Sequence, residues 1–374
     1  MLRLWASALQ DVRAGAYRKA LPKLQRLVSA APGETQFRLE LARTLFFIGV
    51  NDRARYHFNL SLGDPTLSAA EVAVVDRYLA RIAERSDWSG QFSFAIIPES
   101  NPGQRTSTTT LNIGGLPFEI SSDDRENSGV GLSFNGRVRW SPRLSRDLRG
   151  RFEMAGRYDV FDQDDFNDLF LRGVAGLDLL GDRGSRLGVA FTYQQRWIAG
   201  QEFSYGPGLA ISGARRFGNA TRGWARLSVT DLQHADLSQR DGLRTRLDLG
   251  VRHAITQQFI ANGSIFAQRV SAQANDEAYE EAGFRVGGRY AFNGGITMGL
   301  QAWVAHRRHD AAQSFFPDPR DDMRWGGKAS FTHRDLSWRG FAPQVSLTYE
   351  QRSSNIELYD YDNIGLSIGV TRNF

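Results

Sequence analysis

The 374 residues carry 46 lysines and arginines against 41 aspartates and glutamates, a net charge of +5 that speaks against nucleic-acid binding and is ordinary for a solvated surface. No run of eighteen apolar residues occurs and mean hydropathy is −0.40, which excludes a transmembrane helix but not a transmembrane barrel, whose strands are apolar on one face only. Cysteine is absent, removing disulfides, cysteine–zinc sites and thiol catalysis, while 38 glycines and 24 phenylalanines suit strands with small inward positions and aromatic girdles.

Residues 1–86 read as helices. Leu9, Val12, Ala16, Ala20, Leu24 and Leu27 recur at helical spacing without β-branched runs. Gly15 and Gly49 lie thirty-four residues apart, and Pro32 and Pro65 thirty-three. Glycine at a tight turn, a small Ala20 where helices touch and a proline closing the unit form a tetratricopeptide-like pattern. It predicts helices near 2–14, 17–30, 34–48, 51–62 and 68–85. Two repeats and a final helix are short for a solenoid, so a cap or the rest of the chain must cover an end. Residues 1 to 7 lack a long apolar stretch and a small-residue cleavage site, so a signal peptide is not expected within this chain.

From Trp88 the period becomes two. Leu243, Thr245, Leu247, Leu249 and Val251 alternate with Arg244, Arg246, Asp248, Gly250 and Arg252; Val130, Leu132 and Phe134 alternate with Gly131, Ser133 and Asn135. One face stays apolar over about ten residues, the span a tilted strand needs to cross a bilayer. Residues 87–374 are thus predicted to form an approximately fourteen-stranded antiparallel outer-membrane β-barrel, with strands near 88–98, 127–140, 147–161, 167–180, 185–199, 203–216, 220–233, 241–254, 258–271, 281–292, 295–308, 322–334, 341–353 and 361–374. The fold class is α plus transmembrane β. Short connections (180–184, 217–219, 254–257, 293–294) largely alternate with longer ones (99–126, 234–240, 272–280, 309–321, 354–360), as periplasmic turns and extracellular loops do. The strand-like stretch 107–116 is placed inside the first long excursion, as a loop or a plug, because a further span would make the strand count odd.

In the last strand Ile364, Leu366, Ile368 and Val370 share one face, and Gly365, Ser367, Gly369 and Thr371 the other. Asn363, Gly365, Ile368, Val370 and a terminal Phe374 resemble the C-terminal recognition signal of bacterial outer-membrane proteins, which implies assembly by the barrel-insertion machinery.

No nucleophile–histidine–acid set stands out, and an enzyme is not expected. His306 and His309 lack a third ligand. Asp162, Asp164, Asp165 and Asp168 cluster at a predicted loop tip, where a solvated loop competes with cation binding. Gly114-Gly115 and Gly287-Gly288 precede no helix and are not phosphate loops. No metal or cofactor is expected. The arginines are more informative: Arg137, Arg139, Arg149, Arg151, Arg157, Arg172, Arg196, Arg226, Arg244, Arg246 and Arg252 fall on the polar side of their strands, with Glu153, Asp159, Asp178 and Asp248. The plain reading is a charge network stiffening a lumen; the functional one is a conduit or gate lining.

The order of a short tetratricopeptide region and a fourteen-stranded barrel ending in Phe resembles the surface lipoprotein assembly modulator family. Pro98, Glu99, Ser100 and Asn101 are similar to that family's Pro-Asp-Ser-Asn element, Glu99 replacing Asp; Arg352 to Ile356 and Tyr359 to Asn363 are similar to its Arg-x-x-Ser and Tyr-x-Tyr ending. The resemblance implies an outer-membrane translocator of a Gram-negative bacterium, its helices in the periplasm. The implied clients are surface lipoproteins or related secreted binding proteins, with outer-membrane lipids and periplasmic chaperones as further partners. Tyr17, Phe37, Phe47 and Tyr56 are the candidate client groove. A monomer is expected, since barrel closure needs no partner. The competing readings are a tetratricopeptide-barrel polysaccharide exporter and a passive porin.

Overall fold

The computed structural model describes residues 1–85, 87–113, 116–334 and 336–373; Phe374 and the Gly114–Gly115 pair lie outside the described residues. Five helices come first: α1 (Leu2–Arg13), α2 (Tyr17–Ala30), α3 (Thr35–Phe47), α4 (Asn51–Ser61) and α5 (Ala69–Arg85). The thirty-four-residue repeat sets their packing. Gly15 and Gly49 end α1 and α3 in the left-handed region, at φ 71° and 81°, where glycine escapes the Cβ clash. Ala8 and Ala42, Ala20 and Ala54, and Leu24 and Phe58 are repeat-equivalent and essentially inaccessible to water. The alanines let helices approach closely; the larger pair fills the space between them. No helix among the described residues is long and apolar enough to cross a membrane.

The barrel strands are β1 (Trp88–Glu99), β4 (Gly129–Trp140), β5 (Leu148–Phe161), β6 (Asp168–Leu180), β7 (Arg186–Ile198), β8 (Gln201–Phe217), β9 (Thr221–His234), β10 (Gly242–Ala254), β11 (Phe259–Ala272), β12 (Tyr279–Ala291), β13 (Ile296–Ala312), β14 (Pro319–His333), β15 (Ala342–Ser354) and β16 (Tyr361–Asn373). Each pairs antiparallel with its neighbour, and β1 pairs with both β4 and β16, closing the barrel without an edge. The short β2 (Thr110–Ile113) and β3 (Leu116–Glu119) form a separate hairpin in the first long connection, so the stretch adds no span.

The outward faces carry an apolar band. Phe94, Ile96, Phe134, Phe191, Ile211, Leu247, Leu249, Ile265, Phe284, Leu300, Leu347 and Ile368 are exposed on it, as lipid-facing side chains must be. At the end nearest the helices, here the proximal end, Trp88, Trp140 and Phe152 stack at 5.8 and 5.2 Å, the interfacial girdle of a membrane barrel.

Loop lengths alternate less cleanly than the sequence suggests. The β7–β8 connection at the distal end is only Ala199 and Gly200, at φ 52° and 76°. Two consecutive left-handed residues make the tight hairpin turn whose twist matches the strands. Strands β13 and β14 outrun their predicted ends, to Ala312 and back to Pro319, so the predicted loop 309–321 shrinks to 313–318.

Candidate functional site

Three constellations bear on function: the seam between first and last strands, the charged interior, and the proximal mouth with the helices on it.

At the seam the ladder runs from Gln91↔Asn373 to Ile96↔Ile368, lapses at Ile97 and Pro98, and resumes at Glu99↔Gly365. Proline brings no N–H to a ladder. The Pro98–Asn101 motif fills the gap with side chains. Asn363 Nδ2 donates to Glu99 Oε2 at 2.7 Å, and the Asn101 amide donates to Asn363 Oδ1 at 3.0 Å. The Ile364 amide donates to Ser100 Oγ at 2.8 Å, while the Ser100 amide donates to Ile364 O at 2.9 Å. Asn101, 1% exposed, donates through Nδ2 to Asp362 O at 3.1 Å and folds the following loop by bonding the Arg105 backbone. Two motifs some 260 residues apart therefore form one clasp. Gly365 packs beside the Glu99 side chain, and a Cβ at Gly369 would fall 2.0 Å from Phe94 O, so only glycine fits there. Ile368 and Val370 face outward. Beside the clasp lies a polar chamber of about 670 Å³, bordered by Arg157, Asp159, Asp168, Arg196 and Glu350 and by residues 102–105 of the first loop, which fold inward.

The registers place all the arginines singled out from sequence, and Asp248, on inward faces. They fall into separate groups. Arg157 and Arg196 hold Asp168 at 2.6 and 2.9 Å. Arg139 and Arg151 share Asp178 at 2.9 and 3.3 Å with Arg186, which sequence reasoning passed over. Arg137 reaches Glu153 and Arg149 reaches Asp87. Arg246 pairs with Asp248 at 2.8 Å over the Phe266 ring, and Arg244 spans to Gln194 at 2.8 Å. Arg172, Arg226 and Arg252 make no ion pair among the described residues. Towards the distal end, Glu281, 5% exposed, is held by Arg307 at 2.7 Å and Arg324 at 3.4 Å, and Asp322 by Arg320 at 2.7 Å. Those pairs sit in the same inward alternation as the predicted arginines, which was the signal available.

No group of three metal-ligating side chains occurs among the described residues. His306 faces outward to Asp321, and His309 faces inward to Asp276 O, because three residues along a strand reverse the side. Asp168 leaves its loop neighbours to join the arginine pair.

The helices close on the proximal rim. Leu60 of α4 packs on the inward-facing Ala254 and Ile260. Gln257 donates to Asp64 at 3.1 Å, and Arg334 lies 4.3 Å above the Tyr56 ring. Arg216 on β8 donates to Asp76 on α5 at 2.6 Å. Gly63 touches the β10–β11 turn so closely that a Cβ would meet Ala254 and Thr256 at 3.0 Å. Behind this contact, Arg38 is 1% exposed, donates to Pro32 O and lies 3.5 Å from His57 Nδ1. Burial, then the neighbouring arginines, push His57 well below its ordinary 6.5, and burial brings Arg38 down to about 10. Of the four predicted groove residues, Tyr17 and Phe47 stack at 4.6 Å, Phe37 packs on Trp5, and Tyr56 stands apart from them against the barrel.

A family model described as surface lipoprotein assembly modifier matches residues 88–374. Surface lipoprotein assembly modifier 1 of Haemophilus influenzae is 22% identical over 99% of this chain and 77% of its own length. The protein of that name from Neisseria meningitidis serogroup B is 22% identical over 97% of this chain and 74% of its length. Among solved structures, the outer membrane channel DcaP of Acinetobacter baumannii covers 78% of this chain and 98% of its own at TM-score 0.44 and 10% identity.

Proposed function

This chain belongs to the surface lipoprotein assembly modifier family, and from that premise we propose that it moves lipoproteins, or related soluble binding proteins, from the periplasm to the cell surface. Its barrel is an outer-membrane barrel of a transport and assembly family. In the proposed division of labour residues 1–86 hold the client in the periplasm and residues 87–374 pass it through or along the barrel. Family membership carries the reading; the helices seated on the mouth of an arginine-lined lumen support it, because a client held there is already at the conduit. Tyr17, Phe37 and Phe47 supply the aromatic surface for client contact, with Tyr56 assigned instead to the junction. The inward arginines meet the client in passage. Asn363, Gly365, Ile368, Val370 and Phe374 present the last strand to the insertion machinery, with periplasmic chaperones delivering the client.

Deletion followed by protease shaving of intact cells tests this. The expected result is loss of at least one protease-accessible surface protein, restored by the full chain. An unchanged surface profile refutes it. Single-channel recording separates the porin reading: a helix-capped translocator is mostly closed, and a large steady conductance favours the porin. A variant with Gly63→Leu should lift the helices off the rim, since the added side chain meets Ala254 and Thr256. Client display should then fall while barrel insertion is kept.

A further inference from the structure

On strands β8, β9 and β10, the inward residues Arg216, Arg222 and Arg252 are directly opposed neighbours, Arg216↔Arg222 and Arg222↔Arg252. Like charges directly opposite on a sheet destabilise it. Arg289 of β12 and Arg55 of α4 add to the same positive field. Arg222, Arg252 and Arg289 are exposed to the lumen and make no ion pair among the described residues. One carboxylate does enter this row: Asp76 of α5, on Arg216 at 2.6 Å. It comes from the helices, not from the barrel wall, and lies 140 residues away in sequence.

We propose that this arginine row at the proximal mouth is a binding site for an acidic stretch of an unfolded client polypeptide, and that Asp76 occupies it in the resting state as an internal stand-in. The inference rests on the proposed transport function and names the client chemistry that function would select. Guanidinium forks hold carboxylates through paired, charge-assisted hydrogen bonds. A half-enclosed mouth of one sign concentrates the opposite charge. A wall of unbalanced arginines is costly to the fold alone, and an anionic ligand offsets that cost. The only carboxylate on the row among the described residues is a protein side chain, Asp76, so an acidic peptide is the ligand of matching chemistry. Displacing Asp76 would also free α5 from the rim, coupling client arrival to release of the helices.

The test uses the purified full chain in detergent micelles and fluorescein-labelled hexaglutamate, with binding read by anisotropy. Hexaglutamate should bind and hexalysine should not. Arg222→Gln with Arg252→Gln should weaken binding about tenfold, the loss of roughly one to two charge-assisted contacts. Asp76→Asn should tighten it, since the competing carboxylate is gone. Unchanged affinity in the double variant, or no tightening in Asp76→Asn, overturns the site. Displacement by inorganic phosphate or oligogalacturonate as effective, charge for charge, as by hexaglutamate overturns the polypeptide assignment. If the double variant fails to assemble, Asp76→Asn decides alone, because it leaves the barrel wall intact. Surface display in cells is read separately: hexaglutamate binding without any displayed protein sinks the transport reading and upholds the arginine site.

Discussion

Two groups of luminal arginines treat charge in opposite ways. In one, carboxylates of the barrel wall are held by arginines of the wall: Glu281 by Arg307 and Arg324, Asp322 by Arg320 and Asp168 by Arg157 and Arg196 towards the distal end, and Asp178 by Arg139, Arg151 and Arg186 towards the proximal end. In the other, a row at the proximal mouth, Arg216, Arg222 and Arg252 face one another across strands, and the one carboxylate paired with them among the described residues comes from a helix. Residues of one type and one alternation thus do different work. Where acid and base are balanced within the wall, the charges rigidify it; where they are not, the wall has capacity left for something that arrives.

The largest break in that comparison should come from Glu281→Ala. It strands the Arg307 guanidinium in a water-poor site, at a cost of roughly 3–5 kcal/mol. The measurement is the midpoint of urea unfolding in micelles, and a shift no greater than that of an exposed control would mean the network is decorative. Next is the clasp. Asn101→Ala removes two side-chain bonds to the Arg105 backbone and one to Asp362, about 1–3 kcal/mol for a buried group. Hydrogen exchange should accelerate at the Asp362 to Ile364 amides, whereas uniform acceleration around the barrel would place the effect elsewhere than the seam.

A smaller effect comes from pH. His57 is held neutral in the folded helices, so the unfolded state binds the extra proton between the folded value and 6.5. Stability is full above pH 6.5 and is lost as pH falls below it, by up to about 1.4 kcal/mol per pH unit. Thermal melting of the full chain at stepped pH, against His57→Gln, checks this: the variant should lose the slope. The smallest effect sharpens the contrast. Arg222→Gln should change unfolding by less than about 1 kcal/mol, because no partner is lost and a like-charge contact is relieved. A loss comparable to that of Glu281→Ala would mean the proximal row is structural too.

Most of the architecture is legible in the sequence because two periods carry it. The thirty-four-residue spacing of Gly15 and Gly49 places the helix turns, and alternation in β10 separates Leu247 and Leu249 from Arg246 and Asp248. The Pro98–Asn101 and Asn363–Gly365 motifs are visible too, but their meeting is not, since a local pattern carries no information on a partner some 260 residues away. The docking of Asp76 on Arg216 and of Tyr56 under Arg334 is likewise hidden: each residue reads as an ordinary helix-surface or strand-end side chain until the tertiary structure brings two surfaces together. The predicted strands 185–199 and 203–216 put the β7–β8 turn at 200–202, and its tight Ala199–Gly200 form is not foreseen because alanine gives no warning of a left-handed conformation.

The clasp also makes the barrel a ring-closure problem in polymer terms. Joining segments about 264 residues apart costs roughly 5 kcal/mol of chain entropy, if the intervening strands are still disordered. Once neighbouring strands have zipped in order, that cost has been spread over thirteen smaller closures and the last one is nearly free. The bonds of Glu99, Ser100 and Asn101 to Asp362, Asn363 and Ile364 then act as a latch that rewards only a completed circuit: a chain with a mispaired hairpin brings β16 to β1 out of register and forms none of them.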